Sequence, residues 1–495
     1  MGAIAAVLDK KGKEAAEKTY EMLKTLTHRF NHSYGIATRK SIFIIKNYAD
    51  LTGEIPEAHT AIGYGLCKTQ PKDQPQPILE EDFTLALEGR FFPGQNPSDL
   101  EFACELLKSR GAEKIQEIIE KEIIEKLDGS YNLALLHKGN ILVGRDPFGT
   151  RPLYYGENSR FVAVASERKT LWKLGIEAES LPPGTIAVMS RDGIKLKKAR
   201  SFAEITLKDA AEEAAKTIQR LIFEAVKERI LDLDKFAIAF SGGLDSSLLA
   251  LTAKKCGFTP QLISVGLEGR KETEEAVSSA EELGLPIKLK IFNEQDVEAV
   301  IPKVLWLIEE PDPVKLSIAI PLFFAAETAS ENGLRVMLAG QGSDELFAGY
   351  KKYLQIYSEK GEKALYAALR EDFLNCYRTN FERDDKVCAF HKLELRLPYA
   401  DWELSNYALN LPPKLKITLE MGQRKTVLRK AAEMLGLPAS IANKPKKAIQ
   451  YATGVASILK KIAKRKGLSL QKYVEKVFTE IFPKGNNHEG NSHNL

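Results

Sequence analysis

No stretch of this chain approaches the roughly 18 consecutive apolar residues that a membrane-spanning helix needs. The apolar run at its start, MGAIAAVLDKKGK, breaks at Asp9 and Lys10 and reads as a first strand rather than a signal peptide. Cysteine is scarce. Cys67, Cys104, Cys256, Cys376 and Cys388 stand apart with no CxxC pair, which gives no support to a zinc ribbon or a disulfide framework and makes the cytoplasm the expected compartment. Charge of one sign is also lacking: the net charge is +4, so no nucleic-acid partner is expected. GxxxxGK(S/T) is absent, which excludes a Walker-type phosphate loop. What remains is a globular composition, 44% hydrophobic and 28% charged, over 495 residues, too long for a single core.

Residues 1–200 mix short strands with two helical stretches. Val143 to Leu153 reads as strand, turn, strand, Phe161 to Ser166 and Thr185 to Met189 as further strands, and Leu181 to Gly184 as a turn, so this half is a sheet-rich α+β domain. After a break near Phe202 to Thr206 the rhythm changes. An amphipathic helix spans Lys208 to Leu233, with Ile218, Leu221, Ile222 and Ala225 on one face. Phe236 to Phe240 is a continuous apolar run, as expected of a parallel strand buried on both faces. A helix (Ser246 to Cys256), a strand (Gln261 to Leu267), a helix (Glu272 to Leu283), a strand (Ile287 to Phe292), two helices and a fourth strand (Arg335 to Ala339) follow. Strands alternating with helices imply an α/β doubly wound parallel sheet over residues 208–480. Beyond Tyr350 the chain reads as mostly helical, and residues 481–495 as a disordered polar tail.

The sharpest signal is Ser241-Gly242-Gly243-Leu244-Asp245-Ser246-Ser247, between the strand FAIAF and a helix. A loop at the carboxyl end of a parallel strand faces the ligand crevice. Gly242 and Gly243 let backbone amides approach an anion, the helix adds its positive end, and Ser241, Ser246 and Ser247 add hydroxyls. Asp245 would repel phosphate on its own, so it is expected to act through Mg²⁺. The strand ending at Ala339 runs into a second glycine-rich loop, Gly340-Gln341-Gly342-Ser343-Asp344-Glu345, whose Asp344 is placed to share that Mg²⁺ with Asp245. Val265, on the neighbouring strand, is expected at the nucleotide.

The first loop resembles the PP-loop of ATP pyrophosphatases, which cleave ATP between the α and β phosphates. The second is similar to the SGEGADE-type loop of asparagine synthetases. Arg383-Asp384-Asp385, then Leu393-Glu394-Leu395-Arg396-Leu397-Pro398-Tyr399-Ala400-Asp401, Thr426-Val427-Leu428-Arg429 and Lys444-Pro445-Lys446-Lys447 follow in that family's order. The resemblance implies a PP-loop ATP pyrophosphatase (adenine nucleotide α-hydrolase-like) fold and a two-step reaction. A carboxylate attacks the α-phosphorus of ATP, giving an acyl-adenylate and pyrophosphate, and ammonia then gives the amide and AMP. It implies Lys446 as the catalytic lysine. Gln341 departs from the pattern, because the family commonly has Glu there as the proposed base for the attacking nitrogen, and a neutral amide cannot take a proton.

The same family begins with an Ntn-hydrolase-like four-layer αββα glutaminase starting M-C-G-I, whose cysteine is the nucleophile. Here Gly2 stands at that position. Glu88-Gly89 stands for the Asn-Gly whose Asn stabilises the oxyanion, His28-Arg29-Phe30-Asn31 for H-R-G-P-D, and Ala61-Ile62 near the Arg that grips glutamine. Ser98 to Glu101, Leu127-Asp128-Gly129, Arg145 to Tyr154 and Ser166-Glu167 match the family. Residues 1–200 are therefore expected to keep the fold and lack the activity. The readings in play are an ammonia-dependent asparagine synthetase, fed by free ammonia or a separate glutaminase, a β-lactam synthetase-like ligase acting on another carboxylate, and an ATP-binding regulatory pseudo-enzyme. The family suggests a homodimer.

Overall fold

The computed structural model describes residues 1–46, 55–95, 97–109, 111–205, 207–268, 271–445 and 449–483. Two compact units emerge. One comprises Met1–Ser201 with Ala389–Glu394; the other comprises Phe202–Cys388 and, among the described residues, 395–483. The tail read at 481–495 lies, from residue 484, outside the described residues.

The first unit is built from two antiparallel sheets. One orders Glu179–Ser180, Tyr154–Glu157, Phe161–Ala165, Gly2–Asp9, Thr60–Leu66, Ser33–Ala37 and Ile42–Ile45; the other orders Gly193–Lys198, Thr185–Ser190, Asn140–Arg145, Gly129–His137, Thr84–Phe91 and Ile78–Leu79. The two-residue period of a strand assigns its side chains to opposite faces. Along Gly2–Asp9, Ile4, Ala6 and Leu8 face a core shared with Ala134, Leu136 and Val143 of the second sheet. Ala3, Ala5 and Val7 face Ala15, Met22 and Leu23, largely of helix Ala15–Thr25. On the far face of the second sheet Leu85, Leu133 and Leu135 pack on Leu100, Ala103 and Leu107 of helix Asp99–Lys108. The layers are thus helix, sheet, sheet, helix.

One local reading is corrected. The segment read as strand, turn, strand over Val143 to Leu153 carries only the first strand, because residues 146–153 form a loop. The Asp146 carboxylate accepts from the backbone N–H of Phe148 (2.8 Å) and Thr150 (3.1 Å), and Arg145 donates to the Gly149 carbonyl (3.0 Å). Buried side chains thus take up the groups a ladder would have used.

The second unit centres on a five-stranded sheet ordered Ile287–Phe292, Gln261–Leu267, Ala237–Ala239, Val336–Leu338 and the edge strand Glu394–Arg396. The first four are parallel. The opening helix is Ala211–Glu228, shorter than read, because Arg229 turns inward and donates to Asp401 (3.0 Å). The edge strand escaped the sequence reading: it has three residues, two of them charged and buried, and Arg396 is bound to Asp232. In chain order the strands run 3-2-1-4-5, so the winding reverses between Ala237–Ala239 and Val336–Leu338. That is where an open α/β sheet leaves its ligand crevice. Among the described residues no helix is long and apolar enough to cross a membrane.

Candidate functional site

The chain leaves Ala237–Ala239 through Phe240, turns at Ser241 to Gly243 and enters helix Leu244–Lys255. Gly242 has φ +68°, and a Cβ there would lie 2.8 Å from the Ala276 Cα. Left-handed backbone and the close approach of the next helix both demand glycine. The Ser241 and Ser246 hydroxyls are 3.2 Å apart, and the Gly243 N–H points at Ser241 Oγ (3.4 Å). The turn thereby holds its donors beside the helix N-terminus, which suits an anion. Ser247 is fully buried behind this turn and does not line the adjoining cavity.

The second loop leaves Val336–Leu338, passes Gly340 and Gln341, and turns at Gly342 (φ +91°) into the short helix Ser343–Leu346. It brings Asp344 beside the first loop. Ser343 Oγ donates to Asp245 Oδ1 (2.9 Å), and the Lys425 ammonium lies 2.7 Å from both Asp245 and Asp344. Lys425 is buried and sits at φ +59°, a costly backbone for a non-glycine residue that persists where packing over-determines it. The space is tight: a Cβ on Gly349 would lie 1.9 Å from Asp344 Oδ1 and 2.3 Å from Lys425 Cε. The two carboxylates and the Ser343 hydroxyl form an oxygen-only set, the donor chemistry that Mg²⁺ takes together with phosphate oxygens.

Both loops open into a cavity of about 440 Å³, lined by Ser241, Gly242, Gly243, Asp245, Ser246, Val265, Gly340, Gln341 and Asp344. This is the size range of small-molecule sites. Ile318, Pro321, Leu322 and Ala325, on helix Pro313–Glu331, form an apolar wall, and Arg424, Lys425, Arg429 and Lys444 supply positive charge. Lys444 donates to the Glu275 carbonyl (3.2 Å) and to Ser279. Gly342 is absent from the lining, and Lys446 lies outside the described residues.

A third wall carries Gln341, Asn380, Arg383 and Asp384. Gln341 Nε2 donates to Asp384 Oδ2 (2.7 Å), and Arg383 Nε donates to Asp384 Oδ1 (2.7 Å). Burial raises the Asp384 carboxyl above the usual range, Arg383 and Gln341 notwithstanding. Arg383 Nη1 donates to the Thr379 carbonyl (3.0 Å), whereas Nη2, buried, has no hydrogen-bond partner among the described residues. Glu345, raised by burial and by Asp344, accepts from Tyr350 (2.7 Å) and Asn380 (2.9 Å). Sequence reasoning missed Lys425, although it stands one residue before the quoted Thr426–Arg429 run. It also quoted Arg383 and Asp384 without a role.

In the first unit, a Cβ built on Gly2 would lie 2.1 Å from the Gly65 carbonyl and 2.7 Å from the Tyr64 ring and hydroxyl. Glu88, fully buried, accepts from Arg29 (3.3 Å), Ser166 (3.1 Å) and Asn132 (3.4 Å). Arg29 also bonds Glu167 (3.1 Å), which pairs with His28 (2.9 Å) and Lys169. Burial pushes the His28 imidazole down to about 4, Glu167 notwithstanding, so it is neutral at pH 7. Arg90 is held by Asp73 (2.7 Å) and Glu394 (3.2 Å).

The profile of the asparagine synthase family matches residues 217–364 and 355–492, and that of a glutamine amidotransferase domain matches residues 69–173. A Methanocaldococcus jannaschii protein named "Putative asparagine synthetase (glutamine-hydrolyzing) 1" is 30% identical over 538 aligned residues, spanning 96% of this chain and 98% of that protein. The Homo sapiens asparagine synthetase (glutamine-hydrolyzing) is 30% identical over 391 residues, 72% of this chain and 68% of its own. A solved glutamine phosphoribosylpyrophosphate amidotransferase from B. subtilis, 17% identical, aligns over 58% of this chain and 65% of its own with a TM-score of 0.36, a likeness too low to argue from.

Proposed function

The chain belongs to the asparagine synthase family and is an ATP-dependent, amide-forming carbon–nitrogen ligase, and within that class we propose that it adenylates the side-chain carboxylate of aspartate and transfers ammonia to it without hydrolysing glutamine itself. One observation carries this reading: at the reversal point of the sheet, the Ser241–Ser246 turn and Asp344 close on one cavity around a buried lysine.

Adenylation is an in-line displacement, in which the protein positions reactants and offsets charge. Backbone amides at Gly242 and Gly243 and the Ser241 and Ser246 hydroxyls bind the departing pyrophosphate. Asp245 and Asp344 would hold Mg²⁺, which when bound offsets charge on the β- and γ-phosphates. Lys425, Lys444 and the proposed catalytic Lys446 add positive charge on the protein's side. The apolar wall of Ile318, Pro321 and Leu322, with Val265, suits a purine base. Aspartate fits the third wall because it carries a second carboxylate, and the buried Arg383 Nη2 has a hydrogen to donate.

Three features of the first unit support the absence of glutaminase. Gly2 has no nucleophile, the Tyr64 ring fills the space a side chain there would need, and Glu88, acceptor-only when ionised, cannot donate to an oxyanion. Nitrogen then arrives as ammonia, free or from a separate glutaminase.

The test is direct. The protein is incubated with ATP, Mg²⁺, aspartate and ammonium, and AMP, pyrophosphate and asparagine are measured, with glutamine as the alternative nitrogen donor. Asparagine with ammonium and no glutamate from glutamine is expected. Pyrophosphate with another carboxylate but not aspartate refutes the substrate, and glutamate release refutes the inactive first unit.

A further inference from the structure

Attack of ammonia on an acyl-adenylate forms the C–N bond and pushes the carbonyl electrons onto oxygen. Collapse breaks the C–O bond to AMP. The nitrogen must also shed a proton, and a nearby base accelerates that loss. Gln341, on the loop beside the phosphate site, is a neutral amide and cannot serve. Among the described residues, the carboxylates lining the cavity are those of Asp245, Glu275, Asp344 and Asp384. Asp245 and Asp344 are bound to Lys425 at the pyrophosphate end. Glu275 belongs to helix Lys271–Leu283, against the back of Gly242. Asp384 alone of these four is in hydrogen-bond contact with Gln341, at 2.7 Å.

Resting on the ligase reading above, we propose that Asp384 is the catalytic base of the amide-forming step, a carboxylate standing one hydrogen bond away from Gln341. It takes the N–H proton of the attacking nitrogen onto Oδ2 and returns it to solvent after AMP leaves. Gln341 holds Asp384 until ammonia enters, and Arg383 fixes its other oxygen through Nε at 2.7 Å. The burial that raises this carboxyl also makes it a better proton acceptor.

The two half-reactions separate this role from a structural one. Adenylation releases pyrophosphate without needing a base on nitrogen, so carboxylate-dependent pyrophosphate–ATP exchange reports an assembled site, while amide formation at saturating ammonium reports the base. In Asp384→Asn, amide formation falls about 10²-fold or more, the range lost with a general base, and falls at least about tenfold further than exchange, which drops only as far as Arg383 loses its Oδ1 partner. In the double variant Gln341→Glu with Asp384→Asn, which returns a carboxylate to the loop, amide formation recovers to within about tenfold. Amide formation by Asp384→Asn within threefold of normal overturns the proposal. If Asp384→Asn loses exchange as well, the double variant decides: recovery of both half-reactions supports the base, and recovery of exchange alone overturns it. Absence of exchange in the unaltered protein with any carboxylate sinks the ligase reading first, and this inference with it.

Discussion

Replacing Lys425 with Met removes one positive charge from between Asp245 and Asp344 while keeping most of the side-chain volume. The ammonium is 2.7 Å from each carboxylate, with the lysine side chain 3% exposed and the carboxylates 16% and 14% exposed. Breaking a buried ion pair typically costs about 3–5 kcal/mol, because it strands the partner's charge. These carboxylates face a cavity and are partly wet, so solvent screening brings the cost to just below that range, roughly 2–3 kcal/mol. At about 2–4 °C per kcal/mol for a unit of this size, the melting temperature falls by roughly 4–12 °C. Added Mg²⁺ recovers part of the loss, since a divalent ion on the same oxygens replaces the missing charge. Activity falls further than stability, because a fixed charge aimed at developing phosphate charge contributes about 10²–10³ in rate. The assays are thermal melts with and without Mg²⁺ and pyrophosphate–ATP exchange. A variant that melts and exchanges like the parent would show that the lysine bridges the carboxylates without holding the site, and the argument for a pyrophosphate grip would fail.

A methyl group at Gly349 collides with Asp344 and Lys425, so Gly349→Ala should cost about 1–3 kcal/mol by overpacking. By pushing the carboxylate off its position it should also cut exchange roughly 10²-fold, and unchanged exchange refutes the crowding argument. Gly2→Cys should give no glutaminase, because its Cβ strikes the Gly65 carbonyl and the Tyr64 ring; glutamate appearing above background contradicts this. His28 titrates at about 4 in the fold against 6.5 unfolded, so the unfolded chain binds more protons in that window and stability falls as pH drops from 6.5. Between pH 6.5 and 5 this group removes roughly 2 kcal/mol. Denaturant midpoints of the parent and of His28→Gln at pH 7 and pH 5 check it; equal pH slopes in the two proteins refute the assignment.

The parallel sheet was legible because FAIAF is a continuous apolar run and the strand patterns after it alternate with helical stretches punctuated by Gly and Pro. Gln261–Leu267 and Ile287–Phe292 begin and end where the sequence pattern places them. The turn at Ser241 to Gly243 was legible as a turn for a local reason too, glycines and serines between a strand and a helix. Lys425 was not, because its chemistry comes from a fold that sets it between two aspartates 180 and 81 residues away in sequence. Among 71 Lys and Arg residues nothing local marks it, and its positive φ cannot be read from letters. Tyr64 was equally hidden, since only the pairing of Gly2–Asp9 with Thr60–Leu66 brings its ring over Gly2.

The same long-range pairing explains how the first unit keeps its fold on the proposed reading. Losing a nucleophile takes one substitution, but the surrounding polar pocket must still be satisfied or filled. Here Tyr64 fills the space at Gly2, and Glu88 is satisfied by Arg29, Ser166 and Asn132. Arg29 in turn is shared with Glu167, so Glu88, Arg29 and Glu167 stand or fall together. Restoring an amide at Glu88 alone would leave Arg29 with one buried carboxylate fewer, at about 3–5 kcal/mol. Restoring a thiol at Gly2 alone would meet Tyr64. On that proposed reading each single substitution is opposed by a partner in the present structure, so glutamine hydrolysis would require concerted substitutions on at least two strands.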